Sequence, residues 1–255
     1  MAGFKTHVTV SSMLGAGYAG VGSAMYGVPL PTAILAGGLC GVAGMFPDID
    51  SDSGVPLRES LAFAAAVVPI MLVDRLQHLN WQVESIVLAG AGIYLFIRFV
   101  VAYLLKRYTV HRGMFHSIPA ALVFGEAAFL LASGDNLRLR WFIAGAVMLG
   151  ALSHLVLDEI WSISLAGGLP HLKTSFGTAL KLYTRNGWVG NVSVYSKLMV
   201  LTFLVLYEPQ FMQHVYHHDY QGQATEVTHG LQQLGDSGTE VIRSGFNAAK
   251  EALRR

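Results

Sequence analysis

The chain has 255 residues, 53% of them hydrophobic and only 13% charged, about half the roughly 25% charged that is usual in soluble globular proteins. A soluble fold of this size could not cover its surface with so few charges, and a mean hydropathy of +0.48 points to a multi-spanning membrane protein. A net charge of +1 argues against nucleic acid as a direct partner, and the single cysteine, Cys40, excludes an intramolecular disulfide or a thiolate zinc cluster.

Apolar runs follow one another along the chain. The first extends from about Val8 to Tyr26 and ends in the turn-like Gly27-Val28-Pro29-Leu30-Pro31; the second covers about Thr32 to Phe46. Both are rich in glycine and alanine, which in lipid lets two helices pack closely, so a tight helical hairpin is expected. No cleaved signal peptide is expected, because the first run is long and continues directly into the second. After the polar PDIDSDSGVPLRES at 47–60 comes Leu61 to Val73, short against the roughly 17–25 residues of a full span. Val83 to Leu105 reads as a span carrying Arg98, with snorkelling or pairing to Glu126 or Glu84 as the expected role of that arginine. Ser117 to Ala132 and Trp141 to Leu157 follow. A long loop at about 161–191 then leads to a last run, Val194 to Leu206. The expected architecture is an all-α polytopic bundle of about six to seven spans over residues 1–207. A polar tail, 208–255, is expected to be amphipathic helix in part.

Four polar clusters stand out: His7; Asp48, Asp50 and Asp52; His111, Arg112, His116 and Ser117; and His154 with Asp158. Each lies at the end of an apolar run, and an even number of runs separates every pair. If every run crosses, all four clusters share one face of the membrane. That parity fails if the short run at 61–73 does not cross. Lys5, Arg58, Lys106, Arg107, Arg112, Lys173, Lys181, Arg185 and Lys197 fall on the cluster side, against Arg75, Arg138 and Arg140 opposite. The positive-inside rule then turns the clusters toward the cytoplasm.

The residue types favour a metal. His154 and Asp158 are four apart on one helix and can reach one ion. Imidazole with carboxylate suits zinc, manganese or iron. Asp48 and Asp50 repel unless a cation lies between them. His111 and His116 are five apart with Gly113 permitting a turn, and the Arg112 fork can hold a phosphate or carboxylate. Ionisable groups beside a membrane are costly and mark function. Lys173, Lys181 and Arg185 are explained equally by headgroup binding and by an ordinary positive-inside loop. The Asn191-Val192-Ser193 sequon is of a kind common by chance.

The order of His7 before a glycine-rich span, PDIDSD at 47–52, HRGMFHS at 111–117 and HLVLD at 154–158 resembles the YdjM-like family of membrane-bound metal-dependent hydrolases. That family is also described as LexA-binding and inner-membrane-associated. The resemblance covers roughly residues 1–160, with Phe115 standing where the family motif has Thr. It implies kinship with zinc-dependent phospholipase C and single-strand-specific nucleases, helical enzymes that hydrolyse phosphate esters. By that resemblance His7, Asp48, Asp50, His116, His154 and Asp158 are metal ligands, with zinc the first expectation and manganese the second. His111, Arg112 and Asp50 then serve catalysis or substrate binding.

The function expected is an integral hydrolase of the bacterial inner (cytoplasmic) membrane, cleaving a phosphate ester of a lipid or lipid-linked substrate with metal-activated water at the cytoplasmic face. Membrane lipids and the phosphate-ester substrate are the expected partners. Two alternatives use the same residues. A transporter or metal-handling protein needs polar groups at midplane depth. A membrane anchor with a structural metal site recruits a soluble protein through its tail and fails when 208–255 are deleted. Diiron oxygenase chemistry is disfavoured, because the only adjacent histidine pair, His217-His218, lies in the tail.

Overall fold

The computed structural model describes residues 3–50, 54–108, 114–134, 136–166, 169–172, 177, 179–184 and 187–208. Of Asp50, Lys106, Tyr108, 164–166 and 169–172 it describes the backbone alone. The polar tail expected at 208–255 lies, beyond Glu208, outside the described residues.

The chain forms an all-α bundle. Helix α1 (Phe4–Tyr26) turns through Gly27, whose φ of 63° is left-handed backbone that glycine adopts without strain, into α2 (Leu30–Ala43). A 3-10 turn (Phe46–Asp50) leads toward α3 (Val55–His78). Helix α4 (Val83–Leu95) continues through a π-helical turn (Phe96–Val101) into α5 (Ala102–Tyr108). Then come α6 (Ile118–Leu131), α7 (Leu137–Trp161) and α8 (Trp188–Glu208). Part of the expected long loop after α7 is a short antiparallel pair, β1 (Ile163–Ala166) and β2 (Leu169–Leu172).

Four helices among the described residues are long and apolar enough to cross a membrane: α3, Val83–Leu105, α7 and α8. Helices α2 and α6 are apolar but shorter. The run at 61–73 that looked too short is the middle of the 24-residue α3. Arg58 and Glu59 in its first turns, and Asp74, Arg75 and His78 in its last, are helical too. Charged heads on long stems let a helix extend past its apolar stretch at either border.

Helix α7 is the most buried of the four, with α1, α2 and α6 packed on it. The buried positions of α1, His7, Ser11, Gly15 and Gly22, form one stripe at helical spacing. Across from it α2 buries Ala33, Ala36, Cys40 and Ala43. Small residues on both sides let the backbones approach. A Cβ on Gly15 would overlap the Gly37 carbonyl oxygen, and one on Gly150 of α7 would overlap the Cys40 carbonyl. Ser11 Oγ bridges the hairpin, within 2.8 Å of both the His7 and the Gly41 carbonyl oxygens. Lipid tails are as apolar as leucine, so this close packing, not water exclusion, holds α1, α2 and α7 together.

A second polar network lies far along α7 from its C-terminal end. Arg140, 2% exposed, donates to Glu208 Oε2 at 2.6 Å and to the Phe129 carbonyl at 3.1 Å. Arg75 of α3 reaches Glu208 Oε1 at 2.7 Å and the Ala132 carbonyl at 3.1 Å. Glu208, read from sequence as the first tail residue, is the last residue of α8 and joins it to α3, α6 and α7. At 1.5 Å per residue, Arg140 and Asp158 are about 27 Å apart along α7, close to the roughly 30 Å of a bilayer's hydrocarbon core.

Gly150→Ala should destabilise the detergent-solubilised protein by about 1–3 kcal/mol, because the new methyl overlaps backbone. Gly17→Ala, where a Cβ meets open space, should leave the thermal midpoint unchanged or slightly raised. Equal midpoints for the two variants would contradict the close-packing account.

Candidate metal centre

Each donor comes from a helix end or the segment beside one. His7 is one turn into α1, facing α7 because it belongs to the small-residue stripe. Asp48 sits on the 3-10 turn that folds over the end of α2, its N–H bonded to the Met45 carbonyl at 3.1 Å. His116 immediately precedes α6. Its backbone is fixed by Ser117, the N-cap, which accepts from Ala120 N at 3.3 Å and donates to the Met114 carbonyl at 2.6 Å. His154 and Asp158 lie one turn apart on the inner face of α7. Because α2 and α6 stop short, their flanking turns converge on His154, and irregular backbone at that depth is buried in protein.

The five side chains meet in one cluster. His7 Nε2 lies 3.2 Å from Asp158 Oδ1, and His116 Nε2 lies 3.1 Å from Asp48 Oδ1. His154 Nε2 is 3.6 Å from both Asp48 Oδ1 and Asp158 Oδ2. The His7 and His154 rings stack with centroids 3.6 Å apart and planes 12° from parallel, while the His116 ring stands edge-on to His154 at 5.4 Å. His7, His116, His154 and Asp158 are buried, and Asp48, with 23% of its side chain exposed, marks the mouth. Burial by itself pushes the Asp48 carboxyl up. The hydrogen bond from His116 and the charges of His154, His116 and His7 outweigh it and hold the carboxyl below its ordinary value.

The tautomer of His154 follows from its partner. Nδ1 lies 2.7 Å from the Gly44 carbonyl oxygen, which can only accept, so Nδ1 carries the proton. In the neutral imidazole Nε2 is then a buried lone pair turned toward two carboxylates. Such an arrangement repels itself unless a positive charge, a proton on Nε2 or a metal ion, lies among those atoms. A backbone carbonyl that orients one imidazole nitrogen while the other faces the donors is the usual support of a histidine metal ligand.

The donor set fits a divalent ion. Atoms of His7, His154 and Asp158 lie within 4.8 Å of one another, as do atoms of Asp48, His116 and His154, and the two groups share His154. Ligands about 2.0–2.2 Å from a zinc ion are roughly 3.3 Å from each other. The spacings here, 3.1–4.0 Å, bracket that value. Three imidazoles and two carboxylates suit zinc, manganese or iron. Cys40 is no part of the cluster; it is buried between helices, its Sγ 3.5 Å from the Ser11 carbonyl oxygen.

A family model for the YdjM inner membrane protein matches residues 1–217. The chain belongs to that family. No curated protein and no solved structure matches it. With its apolar helices, the family makes this an inner membrane protein.

Of the expected site residues, the structure brings together His7, Asp48, His116, His154 and Asp158. The side chain of Asp50 lies outside the described residues, although its backbone closes the 3-10 turn. His111, Arg112, Asp52, Lys173, Arg185 and the His217-His218 pair also lie outside them. Phe115 stacks toward Phe124 at 6.4 Å between ring centroids. Glu126 accepts a 2.7 Å hydrogen bond from Thr202, not the Arg98 contact considered from sequence. Asn191 of the sequon donates to the Thr184 carbonyl at 2.8 Å and accepts from Thr184 N at 2.9 Å. The Gly44 carbonyl and the Ser11 hydroxyl support the site without having been singled out for it, and Ser117, grouped with His116 from sequence, supports it as a helix cap. A serine two residues before Pro119 is a helix-start signal that could have assigned Ser117.

Proposed function

We propose that the protein is a metal-dependent hydrolase of the inner membrane that cleaves a phosphate ester of a lipid or lipid-linked substrate at the cytoplasmic face. The observation that carries the reading is the buried Nε2 of His154, whose ring is held by the Gly44 carbonyl so that this nitrogen faces Asp48 and Asp158 among five converging donors. Zinc is the ion the donor set suits first and manganese the second. Such an ion supplies Lewis acidity and lowers the pKa of a water that it holds.

The chain's own residues divide the remaining work. His7, His116, His154 and Asp158 are shielded from solvent, which strengthens every charge interaction among them. Asp48, the most exposed of the five, is where water and the ester enter. Asp50, on the same turn, is a further ligand or a base for the attacking water. His111 and Arg112, in the segment before His116, would hold the phosphoryl oxygens; a guanidinium fork matches them in shape and charge. A site at helix ends admits a substrate diffusing in the bilayer, whereas a transport route needs polar groups across the midplane.

Metal-replete protein in detergent should hydrolyse short-chain phosphatidic acid or p-nitrophenyl phosphate, and His154→Ala should lower the rate by roughly 100-fold, the scale of losses when a metal's support is removed. No turnover on monoesters or diesters by wild-type protein, or full activity in His154→Ala, would overturn the reading. The cytoplasmic orientation has its own test, helped by a lone buried cysteine. Lys5→Cys should react with an impermeant maleimide only after cells are permeabilised, and Arg138→Cys in intact cells; the reverse pattern would place the site outside.

A further inference from the structure

Arg98 is unexplained by the metal centre. It sits in the π-helical turn of an otherwise apolar span, and π turns within α-helices concentrate at functional sites. An arginine in such a span is costly and calls for a partner, yet among the described residues no carboxylate pairs with it, Glu126 being engaged by Thr202. The turn faces the start of α3 across a groove of about 390 Å³, lined by Leu57, Arg58, Leu61, Arg98 and Phe99 among others. Arg58 is exposed, and its bond to the adjacent Glu59 at 2.9 Å is a surface pair of little strength. Two arginines from two helices therefore line a groove whose other lining residues are apolar.

The groove lies beside the first turns of α3, at the end where the chain emerges from the Asp48 turn. Arg98 is thus level with the first turns of α3, the end of a candidate span, and lipid headgroups lie at such ends. A guanidinium fork matches phosphate oxygens, and Leu57, Leu61 and Phe99 offer acyl chains an apolar wall. We propose that this groove binds the phosphate of an anionic membrane lipid, with Arg58 and Arg98 as its anion-holding groups. The assignment stands on the groove alone and does not depend on hydrolysis at the metal centre.

The test is lipid retention by the full-length protein, delipidated in neutral detergent and followed by native mass spectrometry. Wild-type protein should retain phosphatidylglycerol roughly tenfold better than phosphatidylcholine, the scale of one charge-assisted hydrogen bond. Arg58→Gln with Arg98→Gln should abolish the preference, Arg98→Lys should keep most of it, and Arg138→Gln, at the far end of α7, should keep all of it. If the double variant does not fold, Arg58→Gln alone, on an exposed side chain, should weaken retention by about threefold. No preference in the wild type, an unchanged preference in a folded double variant or in Arg58→Gln, or an equal loss in Arg138→Gln would overturn the assignment. Displacement by an equal concentration of inorganic phosphate would also overturn it, by showing a free-anion site. Retained lipid that stays intact marks a resident headgroup, and His154-dependent loss of that lipid marks a substrate; both uphold the groove.

Discussion

Everything at the candidate metal centre depends on how closely three backbones approach. His7, the Gly44 carbonyl and His154 belong to α1, the end of α2 and α7, and they meet only because glycines at 15, 37 and 150 let those helices touch through backbone atoms. Larger residues would hold the axes apart and move Gly44 away from His154 Nδ1. The imidazole would then lose the partner that orients its ring, and its other nitrogen would no longer be held toward two carboxylates. Glycine, weak in water as a helix former, is here the residue that places the chemistry.

The same packing sorts polarity along α7. One part of the helix is gripped by Arg75 and Arg140 converging on Glu208, and another carries His154 and Asp158, with alanine, valine and glycine between them. Both networks are buried or partly buried, and in each a carboxylate answers its cationic or imidazole neighbours. They differ in completeness. Glu208 answers two guanidiniums directly, whereas Nε2 of His154 faces two carboxylates at 3.6 Å without a close hydrogen bond. The second network gathers three imidazoles and two carboxylates whose atoms are close enough to share an ion.

The apolar runs were legible because each is a continuous hydrophobic stretch, and the parity of runs, on the condition that every run crosses, put His7, Asp48, His116, His154 and Asp158 on one face, the five residues that the structure brings together. The length of α3 was not legible: Arg58 and Arg75 break the apolar window although the helix continues through them. Nor was the role of Gly44, since a backbone carbonyl leaves no mark in sequence. Glu208 looked like the start of a polar tail because its two arginine partners lie more than sixty residues away. The groove at Arg98 needs a π turn, which has no composition signature. Family kinship is legible in the order of the four motifs, and the match over residues 1–217 extends it well beyond the 160 residues that carry them.

The central claim is that these five side chains hold a divalent ion. The most direct measurement is the metal content of the detergent-purified protein by mass spectrometry, beside a variant carrying both His154→Ala and Asp158→Ala. The account predicts stoichiometric zinc or manganese in the wild type and its loss in the variant, with the variant still folded. Wild-type protein that binds neither ion, even after reconstitution, would contradict it.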